Sequence, residues 1–354
     1  MQIDMHYYGT YCLARAAGLK REAARTIATA AQFVDDNAQQ QGIELEDASC
    51  CRVEPTAHHT TDFENIDRES QRHVWVPFHF LPGNEGRLFT ERLVCRKDSS
   101  IAREMCHNHL TQTGKPYFLP LLGIMSHVYA DTFAHYGFSG VSSRWNRVVN
   151  DSFEFQGVDD EIKAYIVDKK NSFFARFNPI VRNIKSHLAE ECSGALGHGG
   201  VVTFPDRPYL RWRFEYESHG NSGWRDNTET FLEYAEKIHQ LFTQVAQENR
   251  DWSEPGQAQS WSVLAPKVRS ILQVQGKKEA RIRSWQQAVA LGDFLNQAEE
   301  IPDYQNWNDG FDELAYQSSE QALSHPIYQF YQAASYHRWY VLRELLPAHG
   351  LMVI

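Results

Sequence analysis

The hydrophobic positions of residues 10–34 recur mostly at spacings of three and four. Leu13, Ala16, Ala17, Ala24, Ile27, Ala28, Ala31 and Val34 mark an Ala-rich helix that stops at Asp35-Asp36-Asn37. Residues 38–100 hold no such period. They are polar and rich in breakers, with one β-like piece over 73–83, around His79, and a second at Arg92-Leu-Val-Cys. Helical periodicity resumes near Ile101, passes through His127 and ends around Gly137 to Gly140. Further helical patterns cover residues 159–195 and 227–248, the latter with Phe231, Leu232, Ala235, Ile238, Leu241 and Phe242 inward. At least three more follow Trp252, the last near residues 326–346. The pattern predicts an all-α fold class of packed antiparallel helices with long loops able to carry a site. Residues 1–250 are expected to hold the chemistry. Residues 251–354, whose histidines His325, His337 and His349 are scattered, read as a helical extension packed on them, or as part of one continuous domain, since no linker marks a boundary.

Within the central pattern, His127, Asp131 and His135 stand four residues apart with no breaker between them. Steps of four drift by only about 40° around a helix, so the three side chains emerge from one face over two turns. Imidazole and carboxylate at this spacing suit zinc or a similar divalent ion, and a carboxylate between two histidines can bridge ions or orient a ligating ring. A bland alternative is a core helix with hydrogen-bonded polar residues. Burying an Asp and two His on an apolar helix without partners costs several kcal/mol.

Four other places could complete such a site. Asp4 and His6 directly precede Tyr7-Tyr8. Asp35-Asp36 closes an apolar helix, where acidic residues oppose the helix dipole and call for a cation. His79 sits in Pro77-Phe-His-Phe-Leu-Pro, where a buried imidazole needs a polar partner. His198 lies between glycines that let the backbone approach a ligand, and Asp206 follows in Pro-Asp-Arg-Pro. His187 and Glu191 share a helical face at a fair ligand spacing, which a solvated face explains better, and His58-His59 and His107-Asn-His109 read as exposed. Arg207 or Arg225 could bind a substrate phosphate. There is no HExxH, no GxSxG and no Walker-type loop.

Composition changes this picture only at its edges. The net charge of −10 argues against broad adhesion to nucleic acid or anionic membrane, so no stable nucleic-acid complex and at most transient membrane contact are expected. Six cysteines without a CxxC pair, and the lack of a basic and apolar leader, make the cytoplasm the default expectation, with signal-independent export left open.

The string His127-xxx-Asp131-xxx-His135-xx-Phe138, preceded by Leu121-Leu-Gly-Ile, resembles the central helix of the zinc-dependent phospholipase C and single-strand nuclease superfamily. An N-terminal histidine, an Asp ending an early helix and a His-Phe segment come in the same order. The resemblance implies a multi-helix phospholipase C-like bundle holding two or three zinc ions in a cleft and hydrolysing phosphate esters. It makes Asp35 or Asp36 the early acidic residue that binds metal or acts as base, His79 the His-Phe ligand, and Asp131 the bridge beside His127. Enzymes of that superfamily also bind zinc through an N-terminal amine and carbonyl, a place that Asp4 or His6 would take here. The expected activity is metal-dependent phosphodiester hydrolysis, with a lipid head group or a nucleotide as substrate. The alternatives are a nuclease or nucleotidase of the same fold and a non-catalytic, metal-stabilised interaction or toxin protein.

Overall fold

A computed structural model describes residues 1–59, 63–65, 67–183, 196–292 and 294–353. The Ala-rich segment forms two helices, α1 (Thr10–Ala16) and α2 (Arg21–Asp36). Gly18 separates them at φ +93°, a backbone conformation that no periodicity reveals. A π-helical turn, Asp4–Gly9, leads into α1, so the segment bearing His6 is wound and buried. The longer helices that follow are α3 (Ser100–Leu110), α4 (Phe118–Ala134), α5 (Asp160–Asn183), α6 (Asn227–Glu248), α7 (Trp261–Leu272), α8 (Lys278–Ala290) and α9 (Pro326–Trp339). Side-chain caps fix two starts: Ser99 accepts from the Ala102 amide at 3.1 Å and Asp226 from the Glu229 amide at 3.2 Å.

Helix α4 is apolar all round apart from Ser126, His127, Asp131 and Thr132, which predicts a fully enclosed element. It is the axis of the fold, with α2, α3, α6 and α9 packed around it. The approach of α2 is unusually close. A Cβ on Gly123 would meet the Ile27 carbonyl oxygen at 2.4 Å and the Ala30 Cβ at 2.6 Å, so only glycine opposite alanine permits this crossing. The closeness lets an α4 side chain reach the α2 backbone.

The chain is mostly helical, yet the all-α expectation needs correcting. Among the described residues there are three small antiparallel sheets: Ile43–Glu44 with Cys50–Cys51, Glu215–Tyr216 with Gly220–Asn221, and a three-stranded sheet with Arg211–Arg213 at its centre between Glu154–Gln156 and Arg225–Asp226. The last lies over a minor core of Phe138, Phe204, Trp212 and Phe214. Conversely, the β-like reading of residues 73–83 fails. That segment winds through Gln71–Trp75 as a π-helical turn and Val76–Phe78 as an α-helical one. Its alternating apolar residues imitate a strand because both sides of the turn are covered by protein. Likewise Phe89–Arg92 is a helical turn, and strand-like pairing there is limited to one bridge between Pro82 and Cys95.

The C-terminal third shares the main hydrophobic core, which runs from Met1 to Val353. Polar ties reinforce it: Arg281 on Asp4, Arg15 on Glu299, and Tyr331 on Asn37. No described helix is long and apolar enough to cross a membrane.

Candidate metal centre

Five segments far apart in sequence deliver imidazoles and carboxylates to one place. The π-helical turn brings His6, the end of α2 brings Asp35, the turn after Val76–Phe78 brings His79, α4 and its C-cap bring His127, Asp131 and His135, and the loop before the central strand brings His198 and Asp206. They form three trios: His6, His127 and Asp131; Asp35, His79 and His127; His135, His198 and Asp206. Within each trio the potential ligand atoms lie within 4.8 Å of one another. Asp131 is the hub. Its Oδ2 lies 3.3 Å from His79 Nδ1, 3.3 Å from His127 Nε2 and 3.5 Å from His135 Nδ1, while its Oδ1 lies 3.4 Å from His6 Nε2. Asp206 Oδ1 sits 3.2 Å from His135 Nε2.

Backbone carbonyls set the ring tautomers. His127 Nδ1 donates to Ala31 O at 2.7 Å across the close α2–α4 crossing, His79 Nε2 to Thr56 O at 2.8 Å, His135 Nδ1 to His79 O at 3.0 Å, and His198 Nδ1 to Val202 O at 2.7 Å. A carbonyl only accepts, so each of these nitrogens carries the hydrogen. The other nitrogen of every ring is left facing the cluster, the arrangement by which protein backbones hold metal-ligating histidines. Both nitrogens of buried His6 lack a well-aligned hydrogen bond, and the ring stacks on His127 at 3.9 Å and 18°. Val202 adopts φ +52°, a strained conformation for a β-branched residue, and its carbonyl is the one that fixes His198.

The charges are equally one-sided. Asp35, Asp131 and Asp206 converge, and the buried Met1 ammonium lies 2.5 Å from Asp131 and 3.4 Å from Asp206, in a place for which the sequence pointed to Asp4 or His6. Burial opposes charge on that amine, but Asp131, Asp206 and Asp35 outweigh it and raise its pKa to about 10. Burial also works against an ionised Asp131, yet His135, the amine and His127 hold its carboxyl well below the usual range. Asp206 is held down too: the amine, His198 and His135 overcome its burial. Asp35 goes the other way, raised chiefly by burial with Asp131 adding, against the pull of His127 and His79. For His127, burial is outweighed by Asp131 and Asp35, and the ring's affinity for a proton rises; the same field favours a metal. Burial, with His135 adding, lowers His198 to about 4, and burial takes His6 well below its ordinary value. Orphaned imidazole nitrogens, carbonyl-fixed tautomers and clustered carboxylates are a donor set that fits transition-metal ions.

The site opens into a cavity of about 390 Å³. Trp75, Phe80, Leu196 and Val202 give it apolar walls, and His58, Asn65 and Thr203 give it polar ones. Gly197, at φ +55°, packs so close to Phe80 that a Cβ would fall 2.4 Å from the ring, so glycine is needed where this wall turns.

Several expected site residues are placed elsewhere. Asp4 is two positions from His6 and so points away; its carboxylate is taken by Arg281 at 2.7 Å. Of the adjacent acids, Asp35 joins the site while Asp36 turns outward to accept from Tyr304 at 2.7 Å and Gln32 at 3.2 Å. Arg225 caps α4, donating to Ala134 O at 2.9 Å and Tyr136 O at 2.8 Å over the Tyr136 ring, and does not line the cavity. Arg207 is turned to Thr203 and Tyr209 and is also absent from the cavity wall, so neither arginine is placed to bind substrate. His187 and Glu191 lie outside the described residues, whereas His198 and Asp206 stand in the site. His58 and His109, expected at the surface, are buried: His58 lines the cavity and His109 bonds His337 at 2.8 Å. His59 and His107 are exposed. His325 caps α9 and His349 meets Glu104, so neither approaches the trios.

A model of a protein family of unknown function, DUF6765, matches residues 1–345 and therefore takes in the whole site. The chain belongs to that family. No curated protein and no solved structure matches it.

Proposed function

We propose that the protein is a metal-dependent phosphodiester hydrolase, related in chemistry to the zinc phospholipases C that its central helix resembles. The observation that carries this reading is the set of four imidazoles, each tied to a backbone carbonyl by one ring nitrogen and turned to the carboxylates with the other. His6, His79, His127, His135 and His198 with Asp35, Asp131 and Asp206 would hold two or three zinc or similar ions. Such ions supply Lewis acidity toward phosphate oxygens and lower the pKa of water.

The chain's own groups would do the rest. Asp35, whose side chain is 33% exposed, reaches the cavity from the end of α2 and would orient a water and take its proton. Asp131 draws four imidazoles and an amine toward one carboxylate. The cavity wall described has no Lys or Arg, so binding of a phosphate there rests on the metal centre. A nuclease or nucleotidase is the second reading, favoured by the half-buried Trp75, 4.9 Å from His79, as a surface on which a base could stack.

Metal analysis of the purified protein followed by hydrolysis of bis(4-nitrophenyl) phosphate, with and without chelator, tests the proposal. Bound metal and chelator-sensitive hydrolysis are expected. Hydrolysis that persists after rigorous metal removal refutes it, and bound metal without hydrolysis of aryl diesters, short-chain phosphatidylcholine or dinucleotides points to a structural metal instead.

A further inference from the structure

The Thr56 carbonyl fixes the His79 ring, so the aim of His79 Nδ1 at Asp131 depends on the spacing of two segments: 54–57, which carries the acceptor, and 73–79, which carries the donor. The first hangs from the end of α2, where Thr56 Oγ1 donates to Val34 O at 2.8 Å and Thr56 N to Asn37 O at 3.0 Å. The second is a tight double turn in which His79 N donates to Trp75 O at 3.1 Å. One side chain of the C-terminal third bonds both. Arg338, on α9, donates through Nε to His73 O at 2.9 Å, through one terminal nitrogen to Pro55 O and through the other to the Glu54 carboxylate. Its guanidinium carbon lies 5.0 Å over the ring of Phe78, the neighbour of His79. The side chain is 11% exposed, and its planar fork reaches the residue before Thr56 and the start of the turn that leads to His79.

We propose that Arg338 is a positioning residue of the metal centre, holding the Thr56 carbonyl where it turns His79 toward an ion shared with Asp35 and His127. The inference rests on the metal-centre reading and is independent of the reaction performed there. Arg338 belongs to none of the three trios, so its action runs through the bond between His79 and Thr56. Groups that orient a ligating imidazole are commonly worth about 10–100-fold in metal affinity. The sign of the effect separates position from charge. A guanidinium repels a nearby cation, so removing it would tighten metal binding if its charge alone mattered. Loss of position loosens binding instead, and at the ion that His79 holds.

Zinc titration of the full chain against a chromophoric chelator, which resolves the ions by affinity, tests the assignment. Arg338→Gln should weaken one zinc by about 10–100-fold and leave any other within about threefold. In a His79→Ala background the same substitution should weaken no zinc further, because two changes that act through one bond do not add. Tighter binding, an even loss over all ions, a loss that persists without His79, or no change overturns the assignment. Arg338→Lys keeps the charge but lacks the fork, and it serves where the Gln variant does not fold. It should show the same selective loss, and wild-type zinc binding by it overturns the role of the fork. If the wild-type chain binds no zinc, the metal-centre reading falls and takes this inference with it. If the wild type binds zinc and a folded Arg338→Gln chain keeps every affinity, only the role of Arg338 is wrong.

Discussion

Asp131 is the residue on which the centre turns, since both of its oxygens are engaged and no other carboxylate reaches more than one cluster of rings as closely. Asp131→Asn should abolish stoichiometric zinc binding in calorimetry, whereas Asp36→Asn, at a carboxylate that accepts from Gln32 and Tyr304 outside the centre, should leave the stoichiometry unchanged. Equal losses in the two variants would show that the helix end rather than the hub holds the metal. A second contrast separates structure from chemistry. Asp4→Asn strips the buried Arg281 guanidinium of its counter-charge, and breaking such a pair costs about 3–5 kcal/mol. Urea unfolding should reveal that loss with zinc stoichiometry intact. At this scale the sequence was readable where geometry is local. The four-residue spacing within α4 put His127, Asp131 and His135 together, and the glycines around His198 marked a loop that approaches the site. It could not choose between Asp35 and Asp36, because adjacent helical residues differ by about 100° in direction and only the position of α4 says which one points inward. Nor did it mark His58, which meets Ser70 and Trp75 only through the folding of the loop that carries it.

The elements were legible in proportion to their regularity. Helix α6 begins and ends where its periodicity does, whereas the segment before His79 reads as a strand because its alternation reflects burial on both faces rather than pleat. The decisive crossing of α2 on α4 was hidden in a single glycine. Gly123→Ala places a methyl against the Ile27 carbonyl and should destabilise the fold by about 1–3 kcal/mol in chemical denaturation, as overpacking does. An unchanged midpoint would mean that the helices separate freely. Another packing contact links elements on the far side of α4. His109 Nε2 lies 2.8 Å from His337 Nδ1, and His337 Nε2 donates to Pro77 O at 2.9 Å, in a setting whose burial disfavours charge on either ring. Burial lowers His337 to about 4, and burial with the neighbouring ring takes His109 well below its ordinary value. The unfolded chain, with histidines near 6.5, binds more protons than the folded one below that pH. Stability contributed by the pair is complete above pH 6.5 and declines as pH falls toward 4, by about 2–3 kcal/mol for His337 alone. His337→Gln should flatten that part of the stability curve; an identical slope would assign acid sensitivity to other groups.

For the molecule as a whole, the question is whether the C-terminal third is an accessory or part of the folding unit. Nothing in the sequence marks a boundary near residue 250, and the contacts explain why none is needed. Arg281 on α8 neutralises Asp4 in the turn that carries His6, Glu299 takes Arg15 of α1 at 2.7 Å, Tyr304 holds Asp36 at the end of α2, and Tyr331 of α9 donates to Asn37 at 3.0 Å. Of the residues held in this way, Asp4, Asp36 and Asn37 sit within two positions of His6 or Asp35 of the metal centre. The extension therefore buttresses the His6 turn and the Asp35 helix end from outside, and none of its described residues belongs to the three trios. Deleting residues 251–354 would leave Arg15 and Asp4 as unpaired charges on surfaces that are apolar in the intact chain, a change that a metal ion bound elsewhere cannot offset. Zinc at a hundredfold excess over its dissociation constant stabilises by about 2.7 kcal/mol per ion, against about 3–5 kcal/mol for each of the two buried ion pairs broken, to which the lost part of the main core adds. The fragment 1–250 should consequently show no cooperative thermal transition with or without zinc, while the full chain should melt cooperatively and at a higher temperature when zinc is present. A fragment that melts sharply and binds zinc with the stoichiometry of the full chain would show instead that the centre is held by the first 250 residues alone.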